Sequence, residues 1–193
     1  MNNGAHLEKL RSLLTESRYK HTLGVADTAK RMAEKYAFPA EKAYTAGLLH
    51  DCAKCISIEQ MLQLCSQAQI ETDDDEKTSV QLMHAPAGAA MAMLEFGITD
   101  TEIINAIRYH TISRKGMTLI DKIIYISDCI EPNRQIDGVD KLRQIAQEDI
   151  DEAMLACLDT NITYVLTKKK ILHPNSIYAR NEIIRVLRQK KEC

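Results

Sequence analysis

With 193 residues, 45% of them hydrophobic, the chain is long enough to bury a substantial core in one domain. Its 25 Lys and Arg against 27 Asp and Glu give a net charge of −2, which excludes the sequence-wide basic field that nucleic-acid polymers require. No run of eighteen apolar residues marks a membrane span, and Met1-Asn2-Asn3-Gly4 lacks the pattern of a signal peptide, so a cytoplasmic protein is expected.

Apolar residues recur three and four apart along nearly the whole chain, as in Val25, Ala29, Met32, Ala33 and Tyr36, and no strand alternation competes with that period. Two Phe, no Trp and seven Gly also argue against a β-rich core. An all-α, single-domain protein is therefore expected. The first helices are predicted near 5–17 and 19–36, the second carrying His21 in its first turn. A third, near 40–53, has Pro39 at its start and ends on Ala46-Gly47-Leu48-Leu49-His50-Asp51, an apolar run closing on two metal-capable side chains. Cys52 and Cys55 follow as a C-x-x-C. With no second such pair and no βαβ pattern, they and the other four cysteines read as free thiols.

Ser57-x-x-Gln60 has the form of a capping box for a helix near 57–68. Glu71-Thr72-Asp73-Asp74-Asp75-Glu76 lacks the spaced ligands and glycine of a calcium loop and reads as a solvated surface loop. Helices are then predicted near 85–96, with His84 at its entrance and Gly97 closing it, and near 100–110, capped by Thr99-x-x-Glu102 and leaving on His110. Taken singly, each of these two histidines is equally well an ordinary cap residue. The next helix, near 118–131, sets Asp128 among Ile123, Ile124, Ile126 and Ile130, where a carboxylate is costly unless paired or bound to metal. Helices near 138–148, 150–170 and 175–190 complete the chain. Lys168-Lys169-Lys170 reads as a helix C-terminus, and Ile177, Ile183, Ile184 and Leu187 pack inward or form a homodimer seam.

His21, the His50-Asp51 pair, His84, His110 and Asp128 thus lie in separate amphipathic segments that a helical fold can bring together. The order His21, His50-Asp51, Asp128 resembles the H…HD…D signature of the HD-domain metal-dependent phosphohydrolases. Further segments narrow the resemblance to the YqeK branch: Arg18-Tyr19-Lys20-His21-Thr22, Gly47 to Lys54, His84-Ala85-Pro86-Ala87-Gly88, Arg108-Tyr109-His110-Thr111, Asp128 to Arg134 and His173-Pro174-Asn175. The resemblance covers nearly the whole chain. It implies a single HD domain with a metal-site core over about residues 18–135 and C-terminal helices over about 138–190 completing a nucleotide pocket. It also implies a bacterial enzyme that cleaves diadenosine tetraphosphate symmetrically into two ADP with iron or a similar divalent metal, manganese or cobalt being compatible.

On that reading His21, His50, Asp51 and Asp128 hold one ion. His84 and His110 either hold a second, bridged by Asp51, or hydrogen-bond the phosphates from outside the metal shell. Asp51, Lys54, His84 and His110 are the candidate catalytic residues. Arg18 and Arg134 join Lys54 on the polyphosphate, because guanidinium forks match phosphate oxygens in pairs. Cys52, Ala53, Thr111, Ile171, Asn175 and Tyr178 are the remaining candidate substrate contacts. Another HD-type reaction on a nucleotide stays open, either monophosphate removal or cyclic-dinucleotide cleavage, as does a non-catalytic nucleotide sensor.

Overall fold

A computed structural model describes residues 3–192, and among them every regular element is helical. The order is α1 (Asn3–Leu13), α2 (Glu16–Lys35), α3 (Ala40–Leu49), α4 (Ile58–Gln67), a 3-10 turn (Glu76–Thr78), α5 (Val80–Leu94), α6 (Thr101–Tyr109), α7 (Leu119–Ile130), α8 (Val139–Ala146), α9 (Ile150–Thr167) and α10 (Pro174–Glu192). Helix α2 packs on α3 and α7, α5 lies between α4 and α6, and α9 joins α7 and α8 to α10. Ile120, Ile123, Ile124 and Ile126 of α7 and the Leu48-Leu49 end of α3 are fully buried where these layers meet. No described helix is long and apolar enough to cross a membrane.

Local chemistry sets most of the boundaries. Ser57 and Gln60 cap α4 reciprocally, as their spacing predicts, and Thr118 with Asp121 does the same for α7. Elsewhere the structure corrects the sequence reading. Thr15 accepts from Arg18 N–H and starts α2 at Glu16, which ends α1 at Leu13 and not at residue 17. The cap of α6 is Asp100, accepting from Glu102 and Ile103 N–H, in place of Thr99. Helix α5 starts at Val80, so Pro86 and His84 lie inside it and not at its entrance. Tertiary packing of Met83 and its neighbours outweighs the helix-start signal of the proline. Helix α3 stops at Leu49, and residues 50–55 form tight turns in which Lys54 N–H donates to Asp51 O.

Two further readings change. The acidic stretch is not wholly solvated. Glu76 is buried and bound by both terminal nitrogens of Arg108, at 2.5 and 2.8 Å. In α10, Ile183 and Leu187 are buried in the chain's own core, which removes them from any dimer seam and leaves only the half-buried Ile177 and Ile184.

The α2–α3 contact is close because Gly47 faces the Ala26 backbone. A Cβ there would come within 2.9 Å of Ala26 Cα, and backbone cannot swing aside as a flexible side chain does. We expect Gly47→Ala to lower stability by about 1–3 kcal/mol, as forced overpacking does, read as a drop in urea midpoint at unchanged slope. An unchanged midpoint would show that the two helices slide apart without cost.

Candidate metal centre

Five helices each deliver one element of a single cluster. His21 projects from the second turn of α2, His50 and Asp51 from the end of α3, His84 from the interior of α5, His110 from the residue after α6, and Asp128 from the last turns of α7. The four imidazoles form a chain, with ring centroids 5.4 Å apart for His21–His50, 5.0 Å for His50–His110 and 4.9 Å for His84–His110. All four are buried, as is Asp51.

The hydrogen bonds fix which ring nitrogen is available. Nδ1 of His50 donates to Gly47 O at 2.7 Å, Nδ1 of His110 to Ile107 O at 2.7 Å, and Nδ1 of His84 to Val80 O at 3.2 Å. Nδ1 of His21 faces the Glu131 carboxylate at 3.1 Å. For His21, His50 and His110 the Nδ1 partner is an oxygen acceptor, so a neutral ring carries its hydrogen there and turns the Nε2 lone pair inward, whereas Nδ1 of His84 also lies 3.1 Å from Lys54 Nζ. Nε2 of His21 and of His50 make no hydrogen bond although buried, and Nε2 of His84 and His110 face each other at 2.9 Å.

Asp51 lies between these lone pairs and divides its two oxygens. Oδ2 is 3.8 Å from His21 Nε2 and 3.5 Å from His50 Nε2, while Oδ1 is 3.0 Å from His84 Nε2 and 3.7 Å from His110 Nε2. Asp128 Oδ1 is 3.0 Å from His21 Nε2 and 4.0 Å from His50 Nε2. Inward lone pairs converging on carboxylate oxygens repel one another unless a cation lies among them, so the donor set fits a divalent metal. Two three-residue groups, His21-His50-Asp51 and Asp51-His84-His110, are compact enough to hold one ion each, sharing Asp51.

The electrostatics agree with this charge pattern. Burial alone would push the Asp51 carboxyl up, but the surrounding imidazoles, His50 first and then His110 and His84, outweigh it and hold it well below the usual carboxylate range. Burial acts likewise on Asp128, where Arg134 and the imidazoles of His21 and His50 prevail and keep it ionised. Burial, reinforced by the Lys54 charge, brings His84 down to about 4, which keeps that ring neutral and ligand-ready at neutral pH. Lys54 itself is lowered by burial; its Nζ lies 3.0 Å from His84 Nε2 and 3.8 Å from Asp51 Oδ1.

A cavity of about 530 Å³ opens onto the cluster. Arg18, Lys54 and Arg134 stand at its inner end, and two of these cations already grip cluster carboxylates: Arg18 Nη1 is 2.8 Å from Asp51 Oδ2, and Arg134 bonds Asp128 through both its side-chain and main-chain oxygens. Thr111 and Ile171 also line it. Cys52 and Ala53 are buried in the core behind the cluster, Tyr178 is exposed, and Asn175 donates its N–H to His173 Nδ1; none of these four lines the cavity. Burial pushes the Cys52 thiol up, and the five described cysteines are all free. Lys169 and Lys170, beyond the end of α9, line the outer wall instead of merely closing a helix.

Sequence reasoning missed two supporting residues. Glu131, fully buried, orients His21, while its other oxygen accepts from Asn133 N–H and side chain at 2.7 and 3.0 Å. Arg143 of α8 donates to the carbonyls of Ile130, Glu131, Pro132 and Arg134, holding in place the loop that carries Glu131 and Arg134. Glu131 was visible in sequence as an acid one residue past an apolar helix, but its partner lies 110 positions away.

The fold and this cluster define a helical domain built around a histidine–aspartate metal centre, and the model of the family described as HD domain matches residues 18–133. The chain belongs to the HD-domain family. It is 36% identical over 184 residues to the symmetrical bis(5'-nucleosyl)-tetraphosphatase of Bacillus subtilis strain 168, and 38% identical over 184 residues to that of Halalkalibacterium halodurans, in both cases covering 95% of this chain and 98% of the relative. Among solved structures it resembles a predicted HD superfamily hydrolase involved in NAD metabolism from Clostridium acetobutylicum. That likeness has a TM-score of 0.91 and 43% identity over 96% of this chain and 98% of the other.

Proposed function

We propose that this protein is a metal-dependent hydrolase that cleaves diadenosine tetraphosphate symmetrically into two ADP. The observation that carries the reading is the Asp51 carboxylate shared between two pairs of inward-facing Nε2 atoms, at the floor of a cavity whose inner end holds three cations. The full-length similarity to symmetrical tetraphosphatases supplies the substrate. A phosphoanhydride is protected by its own negative charge, and a divalent metal supplies charge neutralisation and a water acidic enough to attack near neutral pH.

His21, His50, Asp51 and Asp128 hold the first ion, and His84 and His110 a second across Asp51. With mixed imidazole and carboxylate donors and no thiolate, iron is the proposed metal, manganese and cobalt being compatible. Arg18, Lys54 and Arg134 bind the tetraphosphate, exchanging part of their contact with Asp51 and Asp128 for phosphate oxygens. Lys54 offsets the charge gathering on the departing phosphate as the central anhydride opens. The metal-site core spans about residues 18–135. Helices over about 138–190 complete the nucleotide pocket, with Thr111 and Ile171 toward the nucleoside. The free cysteines suit a cytoplasmic setting. A homodimer seam on the last helix would use Ile177 and Ile184, and sedimentation velocity tells monomer from dimer.

Incubation of metal-loaded protein with diadenosine tetraphosphate, resolved by anion exchange, should give ADP alone and none after chelation. AMP with ATP would refute symmetric cleavage. We also expect Lys54→Ala to lower kcat by about 10²–10³-fold, the scale of one lost electrostatic donor, while metal content by mass spectrometry stays at the wild-type level. Loss of metal in that variant would instead make Lys54 a structural support of the cluster.

A further inference from the structure

We propose that Asp73 and His173 form a clasp that joins the two walls of the cavity and positions the nucleotide between them; the substrate part of this rests on the function proposed above. One wall is the segment that leads from the acidic stretch into α5, where Thr78, Ser79 and Leu82 line the cavity. The other is the 169–173 segment between α9 and α10. The 169–173 segment has no helix of its own to hold it there.

His173 is buried, and its Nε2 lies 2.6 Å from Asp73 Oδ2. Its Nδ1 accepts from Asn175 N–H at 3.2 Å, so the ring proton resides on Nε2 and is donated to the carboxylate. Asp73 is in turn fixed from behind. Its Oδ1 accepts from Glu76 N–H at 2.9 Å, Glu76 Oε2 accepts from Asp73 N–H at 3.1 Å, and the buried Glu76 carboxylate is held by Arg108 of α6. Arg108 also donates to Glu71 O, and it stands two residues before His110 of the cluster. A continuous set of charge-assisted bonds therefore runs from the helix that delivers His110, through the acidic stretch, to the far wall of the cavity. Ser176 donating to Ile112 O secures that wall from the other side. This gives the acidic stretch and the His173-Pro174-Asn175 segment a joint role, with Asp73 and His173 as positioning residues that touch neither metal nor reacting atoms.

The test compares Asp73→Ala, His173→Ala and His173→Gln, whose amide can still donate to Asp73. Hydrogen exchange of the 169–176 amides is followed without substrate, and KM, kcat and metal content are measured with it. Expected for both alanine variants are faster exchange in 169–176, a KM for diadenosine tetraphosphate raised roughly tenfold, the scale of one charge-assisted bond, kcat within about twofold and unchanged metal content, with His173→Gln restored toward wild type. Unaltered exchange in either alanine variant would overturn the clasp, and loosened exchange with unaltered KM would overturn its positioning role. Wild-type protein that fails to turn over the tetraphosphate would refute the proposed substrate while leaving the exchange result to decide the clasp.

Discussion

Replacing Asp51 with alanine is expected to abolish turnover and metal loading together. Among the described residues Asp51 is the one carboxylate within reach of all four imidazoles, offering Oδ2 to the His21–His50 side and Oδ1 to the His84–His110 side. Its loss removes a ligand from both three-residue groups at once, whereas loss of any one histidine leaves the other group whole. A metal that contributes several kcal/mol of transition-state charge stabilisation accounts for roughly 10³–10⁴ in rate, so activity should fall by at least that factor. Metal content by mass spectrometry should fall with it. Arg18 also loses its partner, so the circular-dichroism melt should be recorded on the same sample to separate a folded, empty centre from an unfolded chain. Retained metal and activity would overturn the assignment of the cluster.

Glu131→Ala is expected to weaken metal binding by about 10–100-fold, the usual loss when the partner of a ligating histidine is removed. Glu131 fixes the His21 tautomer by accepting from Nδ1, and without it the ring is free to turn or to carry its proton on Nε2, where the lone pair is needed. Space for this carboxylate comes from Gly24, since a Cβ at that position would overlap Glu131 Oε2. Gly24→Ala should therefore shift metal affinity in the same direction by displacing Glu131, with His21 and all other cluster residues intact. Competition against a fluorescent chelator reads both variants without reference to activity. Wild-type affinity in Glu131→Ala would mean that the packing around α2 orients His21 unaided.

How much was legible in the chain differs between the parts of the site. The helical class and the order of the ten described α-helices follow from local periodicity, and caps such as Ser57 with Gln60 mark ends whose partners lie within one turn. The cap at Asp100 was misplaced by one residue because Thr99 and Asp100 are both good caps, and only the backbone angle decides between adjacent candidates. Pro86 misled more seriously. A proline usually marks a first turn, but burial of the surrounding α5 residues stabilises a helix that runs through it, and this moves His84 from a helix end to its interior.

By itself the sequence determined the helical class and the cluster's residue types, because an adjacent His50-Asp51 pair and an Asp128 among isoleucines are costly to keep in a core without a bound cation. Only the tertiary structure decided how these groups divide the work: that Asp51 serves both sides, that Glu131 stands behind His21, and that Asp73 meets His173 across the cavity. Local patterning encodes contacts within a few residues, whereas these pairings span 30 to 110 positions and arise when helices pack, with buried charge finding its partner wherever the chain brings one.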